Sequence, residues 1–284
     1  MVKTGSGKGD ELPPDIHKLS FEVALHGLEE IVQRLESGDV SLEATGVSIT
    51  DANNAAVNVV GATLNVVSAD GIGTGTDAIE TNTGILTFVN TAGVVNIDNT
   101  GTLTASGTNT TGTDVIIVTS SPLTVDGVIA LGDITLQSTD DGGDDDHLTI
   151  NGAVESTGAG TISLRGGTDV LINAVVTSAG TVIAEADFDN SNNGTLSDGD
   201  GSITTINLLA TGHSVALDNV LTTLETLAGD AQQNFTFDAD DSYTVGTVKP
   251  LEGIRTYVAV AFFEFRLSEM FGMLYKVAAV PKGV

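Results

Sequence analysis

The sequence predicts a mainly β chain whose body is a parallel β-helix, or a closely related β-solenoid. Three observations predict this fold: a segment that occurs three times, an alternation of apolar and polar residues within each copy, and many residues that favour tight turns. A period in the low twenties with short strands is typical of stacked repeats, because one coil has too little apolar surface to fold alone.

The repeat lies between residues 123 and 186. Leu123–Ile129 (LTVDGVI) returns as Leu148–Val154 (LTINGAV) and again as Val170–Val176 (VLINAVV), at offsets of 25 and 22 residues counted from 123 to 148 and from 148 to 170. The alternation places one row of side chains inward and the other outward on a strand. Coils stacked ~4.8 Å apart join their inward rows into one core. Similar strand-like segments fill residues 45–248, which we predict to be the body.

Composition agrees with short strands and many turns. The chain of 284 residues has 34 Gly, no Trp and no Cys, so disulfides and thiolate metal sites are excluded. Hydrophobic residues make up 40% of the chain, which is enough for a core. No run of eighteen apolar residues occurs, so no transmembrane helix is predicted. Met1–Asp15 is polar, and no secretion signal is visible there.

The charge is strongly acidic and unevenly distributed. The formal net charge is −28, and Arg165 is the only basic residue between Leu35 and Val248. A surface of this kind repels phosphate, so direct nucleic-acid binding by the body is not expected.

The N-terminal part has a different pattern. Residues 1–18 are predicted to be a disordered leader, and residues 19–44 a helical segment. Within residues 19–36 the apolar residues follow i, i+3, i+4 spacing, which favours an amphipathic helix. Ser20 is placed to cap its start, Gly38 to end it, and Ser41 to cap a second helix. The apolar positions of this helix include Phe21, Leu25, Leu28, Ile31, Val32 and Leu35.

Residues 19–43, LSFEVALHGLEEIVQRLESGDVSLE, closely resemble the start of the exodeoxyribonuclease VII small subunit. The resemblance implies a helical hairpin that docks on a large subunit, which carries the catalytic site for degrading single-stranded DNA. It also implies a cytoplasmic, non-catalytic accessory role. The residues that the resemblance places either against the partner or in the core of the hairpin are Phe21, Leu25, Leu28, Ile31, Val32 and Leu35. It ends after Glu43, where the family continues into a long second helix and this chain begins its strand-rich body.

The body, residues 45–248, resembles the repeats of filamentous-haemagglutinin-type surface proteins and large bacterial adhesins. Val57–Val60 (VNVV), Leu64–Val67 (LNVV) and Val115–Val118 (VIIV) carry this resemblance together with the triple repeat. It implies a right-handed parallel β-helix, an extracellular or cell-surface location and a structural or adhesive shaft. The ligand on a host or matrix surface is left open.

The tail, residues 249–284, is apolar and rich in aromatic residues. An uncapped solenoid exposes a strand edge and apolar side chains at its end, which promotes association between chains. We therefore expect the tail to cap one end of the body. The residues expected to do so are Phe262, Phe263, Phe265 and Phe271.

Residues that could carry chemistry are few. The four His residues are scattered, no Cys nucleophile exists, and no Ser lies in a G-x-S-x-G elbow, so no catalytic residue is predicted and the chain is not expected to be an enzyme. The best candidate site is Asp189–Asp200, which has oxygen side chains at loop positions 1, 3, 5 and 12 and Gly194 at position 6. This spacing is similar to a calcium loop and predicts weak Ca²⁺ binding, although an Asp/Asn-rich turn between coils is the alternative. The expected metal ligands are Asp189, Ser191, Asn193 and Asp200.

Three functional hypotheses follow. The chain is a fragment of an adhesin-like shaft, or a truncated accessory subunit that binds the exodeoxyribonuclease VII large subunit through residues 19–43, or an accidental fusion with no integrated function. The abrupt change of pattern after Glu43 is what raises the third hypothesis. The two resemblances imply different compartments, the cell surface for the body and the cytoplasm for the N-terminal segment.

Overall fold

The structure is a computed structural model. The residues it describes are 38–53, 55–139, 145–188, 193–219, 223–239, 242–256 and 262–265. Over these residues the chain is mainly β and forms a parallel β-solenoid of about nine turns, which confirms the predicted fold class. The chain divides into two compact units, Met1–Asp39 and Val40–Val284, and apart from Asp39 the solenoid belongs to the second.

The described residues contain twenty-four short strands, twenty-two of which form one large sheet. In chain order they are β1 (Asp39–Ala44), β2 (Val59–Ser68), β3 (Ile79–Asn90), β4 (Val95–Asn99), β5 (Leu103–Asn109), β6 (Val115–Thr119), β7 (Leu123–Ala130), β8 (Ile134–Ser138), β9 (Leu148–Ser156), β10 (Thr161–Gly166), β11 (Val170–Ile172), β12 (Val175–Ser178), β13 (Thr181–Glu185), β14 (Thr195–Ser197), β15 (Ser202–Thr204), β16 (Asn207–Gly212), β17 (Ser214–Leu217), β18 (Thr226–Ala231), β19 (Phe235–Ala239), β20 (Thr244–Val245), β21 (Thr247–Val248), β22 (Leu251–Glu252), β23 (Ile254–Thr256) and β24 (Phe262–Phe265).

Most strands stack in ladders of parallel pairs, and two of these ladders run along much of the solenoid. A shorter ladder joins the end of β9 to β12 and β15. Face A contains, in order of contact, β2, β3, β5, β7, β9, β11, β14, β17, β19 and β24. Face B contains the first residues of β3, then β4, β6, β8, β10, β13, β16, β18 and β23. Successive strands of one ladder come from successive coils, so each residue has its partner about one coil earlier or later in the sequence.

The core consists of the inward rows of these ladders. The three sequence repeats stack in register, since Leu123 pairs with Leu148 and Leu148 with Val170. The same row continues in both directions and is buried throughout. Its members are Leu103, Leu123, Leu148, Val170, Leu196, Val215 and Phe235. Full burial of each such side chain stabilises the fold by about 1.5–3 kcal/mol.

A row of buried polar residues follows one edge of face A. Asn90 pairs in register with Ser68 on one side and with Asn109 on the other. The Asn90 amide Nδ2 donates to Asn109 Oδ1 over 2.9 Å, and Asn90 Oδ1 accepts from the backbone N–H of Gly71 over 3.1 Å. Buried polar groups cost free energy unless they are hydrogen-bonded, and these amides satisfy one another and the backbone of the turn.

Face B has a similar polar edge. Thr81 pairs with Asn99 in register, and its hydroxyl donates to Asn99 Oδ1 over 2.8 Å. Asn99 Nδ2 donates to the carbonyl oxygen of Gly101 over 3.0 Å. The row continues through Thr119 and Ser138, both buried. The coils therefore turn where short polar side chains bind the backbone that the strands leave unpaired.

The N-terminal boundary of the body differs from the prediction. Residues 39–44, expected to belong to the helical segment with Ser41 as a helix cap, form β1, which pairs with β2. The physical reason is the alternation in DVSLEA, which presents Val40 and Leu42 to the core. Gly38 has a φ of 70°, the conformation expected for a glycine that ends a helix. The predicted helix 19–36 and the leader 1–18 lie outside the described residues.

The C-terminal boundary also differs. Phe262–Phe265, part of the predicted cap, forms β24 and pairs in parallel with β19, Phe263 opposite Phe237. The stack of strands therefore continues beyond residue 248. Phe271 lies outside the described residues, and capping by the tail stays a prediction.

Within the described ranges, no helix has the length and apolar character needed to cross a membrane.

A charge placed in the core row should unfold neighbouring coils. Ile150 is fully buried on β9 between Val125 and Ile172, and we expect Ile150→Asp to lower the free energy of unfolding by several kcal/mol, because the carboxylate would be buried without a partner. Ile162→Asp on face B should act in the same way. Thr149→Asp, on the outward side of the same strand, is the matched control and should change stability by less than about 1 kcal/mol. Urea denaturation followed by circular dichroism measures both, and equal midpoints for Ile150→Asp and Thr149→Asp would contradict the inward assignment.

Candidate functional site

An outward-facing row of polar and charged residues crosses face B. Register pairs Arg165 with Glu185, Glu185 with Thr211, Thr211 with Asp230, and Asp230 with Arg255. Neighbouring strands are ~4.8 Å apart, so Glu185 and Asp230 lie roughly 10 Å apart on either side of Thr211. The row therefore runs positive, negative, neutral, negative, positive along the solenoid.

A short antiparallel hairpin covers face B beside this row. Its strands are β21 and β22, with Val248 opposite Leu251. Leu209 and Ala228 alternate with core residues and therefore lie on the outer side of β16 and β18. They are nevertheless buried, because Val248 of the hairpin packs on them. The hairpin therefore packs on the outer surface of the solenoid and borders the row on one side.

The row, the hairpin and the turns after β13, β16 and β18 enclose a trough of about 690 Å³. We call it the acidic trough. It is lined by Glu185, Ala186, Asp187, Phe188, Leu209, Thr211, Gly212, His213, Asp230, Gln232, Gln233, Pro250 and Leu251. Among these lining residues, within the part of the chain that the structure describes, three are carboxylates and none is Lys or Arg.

At one end of the acidic trough, two lining residues contact a guanidinium group of the chain itself. Arg165 Nε donates to Glu185 Oε2 over 2.6 Å. The guanidinium carbon lies 4.9 Å from the ring centroid of Phe188, a cation–π distance. Phe188 is nevertheless 40% exposed, so a large part of its side chain remains open to solvent.

At the other end of the acidic trough, the carboxyl group of Asp230 is partly buried. Burial raises the pKa of the Asp230 carboxyl above its ordinary value, and the positive charge of Arg255 acts in the opposite direction. Between the two ends, Gln232 links neighbours, since its Nε2 donates to Asp187 Oδ2 over 3.4 Å and its Oε1 lies 3.3 Å from His213 Nδ1. The trough therefore offers carboxylate, amide and imidazole groups beside apolar side chains.

The sequence does not predict this trough. Its row is assembled from five coils whose members are separated by 19 to 26 residues, and no local motif contains them. One signal was present: Leu208-Leu209 and Leu227-Ala228 break the apolar–polar alternation. Such a break indicates that the outer side of a strand is covered as well as the inner side.

The predicted calcium segment is divided by a strand. Thr195–Ser197 forms β14, which pairs with β11 on one side and β17 on the other. Asn193 precedes this strand and Asp200 follows it, both exposed, whereas Asp189 and Ser191 lie outside the described residues. The four predicted ligands are therefore not placed together by what the structure describes, and calcium binding stays a prediction.

A neighbouring carboxylate has a structural role. Asp198 is 1% exposed and follows the core position of β14. Its side chain accepts the backbone N–H groups of Asp218 over 3.1 Å and Asn219 over 2.9 Å from the next coil. Burial raises the pKa of the Asp198 carboxyl to about 6, although these two donors act in the opposite direction. Asp198 therefore ties adjacent coils together.

A second acidic group lies near the N-terminal end of the solenoid. Oxygen atoms of Asp51, Asp77 and Glu80 all lie within 4.8 Å of one another, and carboxylate oxygens are ligands that Ca²⁺ prefers. Asp51 Oδ1 already accepts the backbone N–H of Asn53 and the side-chain amide of Asn58, each over 2.8 Å. These donors give the group a structural explanation as an Asp-capped turn.

The predicted partner-facing residues have no described surroundings. Phe21, Leu25, Leu28, Ile31, Val32 and Leu35 all lie outside the described residues.

Comparison with known proteins gives one family match. The exonuclease VII small subunit family model matches residues 21–45, in agreement with the resemblance of residues 19–43. The last part of this match, Asp39–Ala44, is β1 of the solenoid. No curated protein and no solved structure matches the chain. The chain is thus similar to the exonuclease VII small subunit over a short segment.

Calcium binding at Asp189, Ser191, Asn193 and Asp200 can be tested directly. Two carboxylates among the four ligands predict a weak site, with a Kd of about 10⁻⁴–10⁻³ M. Titration calorimetry should show saturable heat that Asp189→Ala removes, whereas Asp126→Ala, an exposed carboxylate on β7, should leave it unchanged. Absence of heat at millimolar calcium, or the same heat from Asp189→Ala, would eliminate the site.

Proposed function

We propose that the chain is a non-enzymatic, adhesin-like shaft whose solenoid presents its outer faces to a ligand on a host or matrix surface. The observation that supports this proposal is the continuous parallel stack of about nine turns. In such a stack every coil contacts only its neighbours, so the outer face is an extended surface on a stiff support.

The outer surface fits a binding role better than a catalytic one. The acidic trough has carboxylates, but Glu185 is paired with Arg165, and Asp230 lies in register with Arg255. None of the described lining residues forms a nucleophile–base pair of the Ser–His or Cys–His kind. A location outside the cell is part of this proposal and is supported by the resemblance of the body to large surface proteins.

Adhesion can be measured with the purified chain. Because the sequence has no Cys, a single cysteine added at the C-terminus couples the chain to beads in one orientation. We expect these beads to be retained under flow on at least one surface among collagen, fibronectin and mucin. Beads that carry the Ile150→Asp variant, with an unfolded solenoid but nearly the same charge, are the control. Equal retention of the two kinds of bead on every surface would refute the adhesive role.

A second function has one specific observation in its favour, the family match over residues 21–45. In this candidate the apolar positions of residues 19–36 dock on an exodeoxyribonuclease VII large subunit as a helix in a groove. Three points weigh against it. Asp39–Ala44 is a strand where the resembled family continues toward a second helix, and a single helix of this length is marginal alone in water. The chain's net charge of −28 would also repel single-stranded DNA from the assembly.

The accessory role is tested by reconstitution. We expect the chain alone to have no nuclease activity, and the chain mixed with an exodeoxyribonuclease VII large subunit to give little loss of single-stranded DNA compared with an authentic small subunit. Restored activity that Leu28→Asp abolishes and an exposed control substitution, Asp126→Asn, preserves would reverse this ranking. It would make residues 19–43 the functional part of the chain.

A further inference from the structure

We propose that the acidic trough binds a basic peptide segment of a partner, with an arginine or lysine side chain lying over Thr211 between Glu185 and Asp230. This inference rests on the proposed adhesive role and names the chemistry of the ligand for one site on the shaft. It follows from the charge, the shape and the existing contacts of the trough.

The first argument is the spacing of the carboxylates. Glu185 and Asp230 flank Thr211 at one ladder step on each side, and Asp187 follows two residues after Glu185. A cation above Thr211 lies one ladder step, about 5 Å, from the backbone of both Glu185 and Asp230. Opposite charges at separations of this order attract each other in a partly desolvated groove.

The second argument is that two side chains of the trough lining already bind one guanidinium group of the chain. Arg165 is bonded to Glu185 and stacked on Phe188 at the edge of the trough. This contact demonstrates that the lining side chains form the environment that an arginine prefers, a carboxylate beside an aromatic ring. The lining contains no Lys or Arg that would occupy the centre of the trough.

The third argument is the apolar side of the trough. Leu209, Leu251 and Pro250 line it beside the carboxylates. Lysine and arginine bury their methylene stems along apolar surface while the charged head contacts polar groups. The trough offers both surfaces within one groove, which a small inorganic cation would not use.

The fourth argument is the long-range field. The chain has a net charge of −28, and such a field attracts cationic segments and increases their rate of association. The same field repels phosphates and acidic peptides.

The test uses the full-length, isotope-labelled chain and the peptide N-acetyl-Gly-Leu-Arg-Leu-Gly-amide at physiological salt. A single positive charge keeps non-specific attraction to the acidic surface small, because salt screens charges beyond ~8 Å. We expect saturable NMR shifts of the backbone amides of Thr211, His213 and Gln232, and no shifts with a peptide that has citrulline in place of arginine.

Two variants locate the site. Asp230→Asn should weaken binding roughly tenfold, the usual loss for one hydrogen-bonded charge partner. Asp126→Asn, which removes the same charge from an exposed position on β7, should change the affinity by less than about twofold, since screening removes distant charges. Thr211→Lys should abolish binding while circular dichroism stays unchanged, because the new ammonium group occupies the space between the carboxylates.

Several outcomes would overturn the inference. These are shifts that do not saturate, equal weakening by Asp230→Asn and Asp126→Asn, unchanged binding to Thr211→Lys, or shifts of the same amides by neutral maltoheptaose instead of the arginine peptide. The last outcome would make the trough a glycan site. Beads that adhere equally with and without Asp230→Asn would refute the acidic trough as the ligand site and leave the adhesive role of the shaft intact. Peptide binding without any bead adhesion would refute the adhesive role and leave the trough as a peptide site.

Discussion

The constraint on which the structure depends is parallel stacking in register at ~4.8 Å. A residue on one coil has the corresponding residue of the next coil directly above it, so the inward positions between the polar edges must be apolar on every coil. The buried row from Leu103 through Leu148 to Phe235 satisfies this requirement over seven strands. A coil cannot be stable alone, and each is held by the surface that it buries against two neighbours.

Stacking in register also brings polar residues at the same position of successive coils into contact with one another. Asn90 and Asn109 bind each other at one edge of face A, and Thr81 binds Asn99 at the edge of face B. Asp198 is a buried acidic residue. Its carboxylate accepts hydrogen bonds from two backbone N–H groups of the next coil. On the outer side the same rule aligns single acids and bases from separate coils into one row and so builds the acidic trough.

The architecture was predictable because it depends on short-range alternation repeated along the chain. The triple repeat at Leu123, Leu148 and Val170 gave the correct register. The boundary at residue 44 was wrong, because Ser41 after a helix-like run favoured a second helix, whereas Val40 and Leu42 gain more by packing on the core. The trough could not be predicted, since Glu185, Thr211 and Asp230 meet only through register between distant segments. The hairpin that walls it is recognisable only after the outer burial of Leu209 is known.

Fold and proposed function both depend on this register, and disulfide cross-linking measures it most directly. The chain has no Cys, so a pair of introduced cysteines reports only on their own separation. Thr124 and Thr149 are register partners on outward positions of adjacent strands, at a separation that a disulfide can bridge. Under mild oxidation Thr124→Cys with Thr149→Cys should form an intramolecular disulfide rapidly. Thr104→Cys with Thr149→Cys, two ladder steps apart, should form none. Equal cross-linking of both pairs, or cross-linking of the second pair alone, would contradict the stacked register.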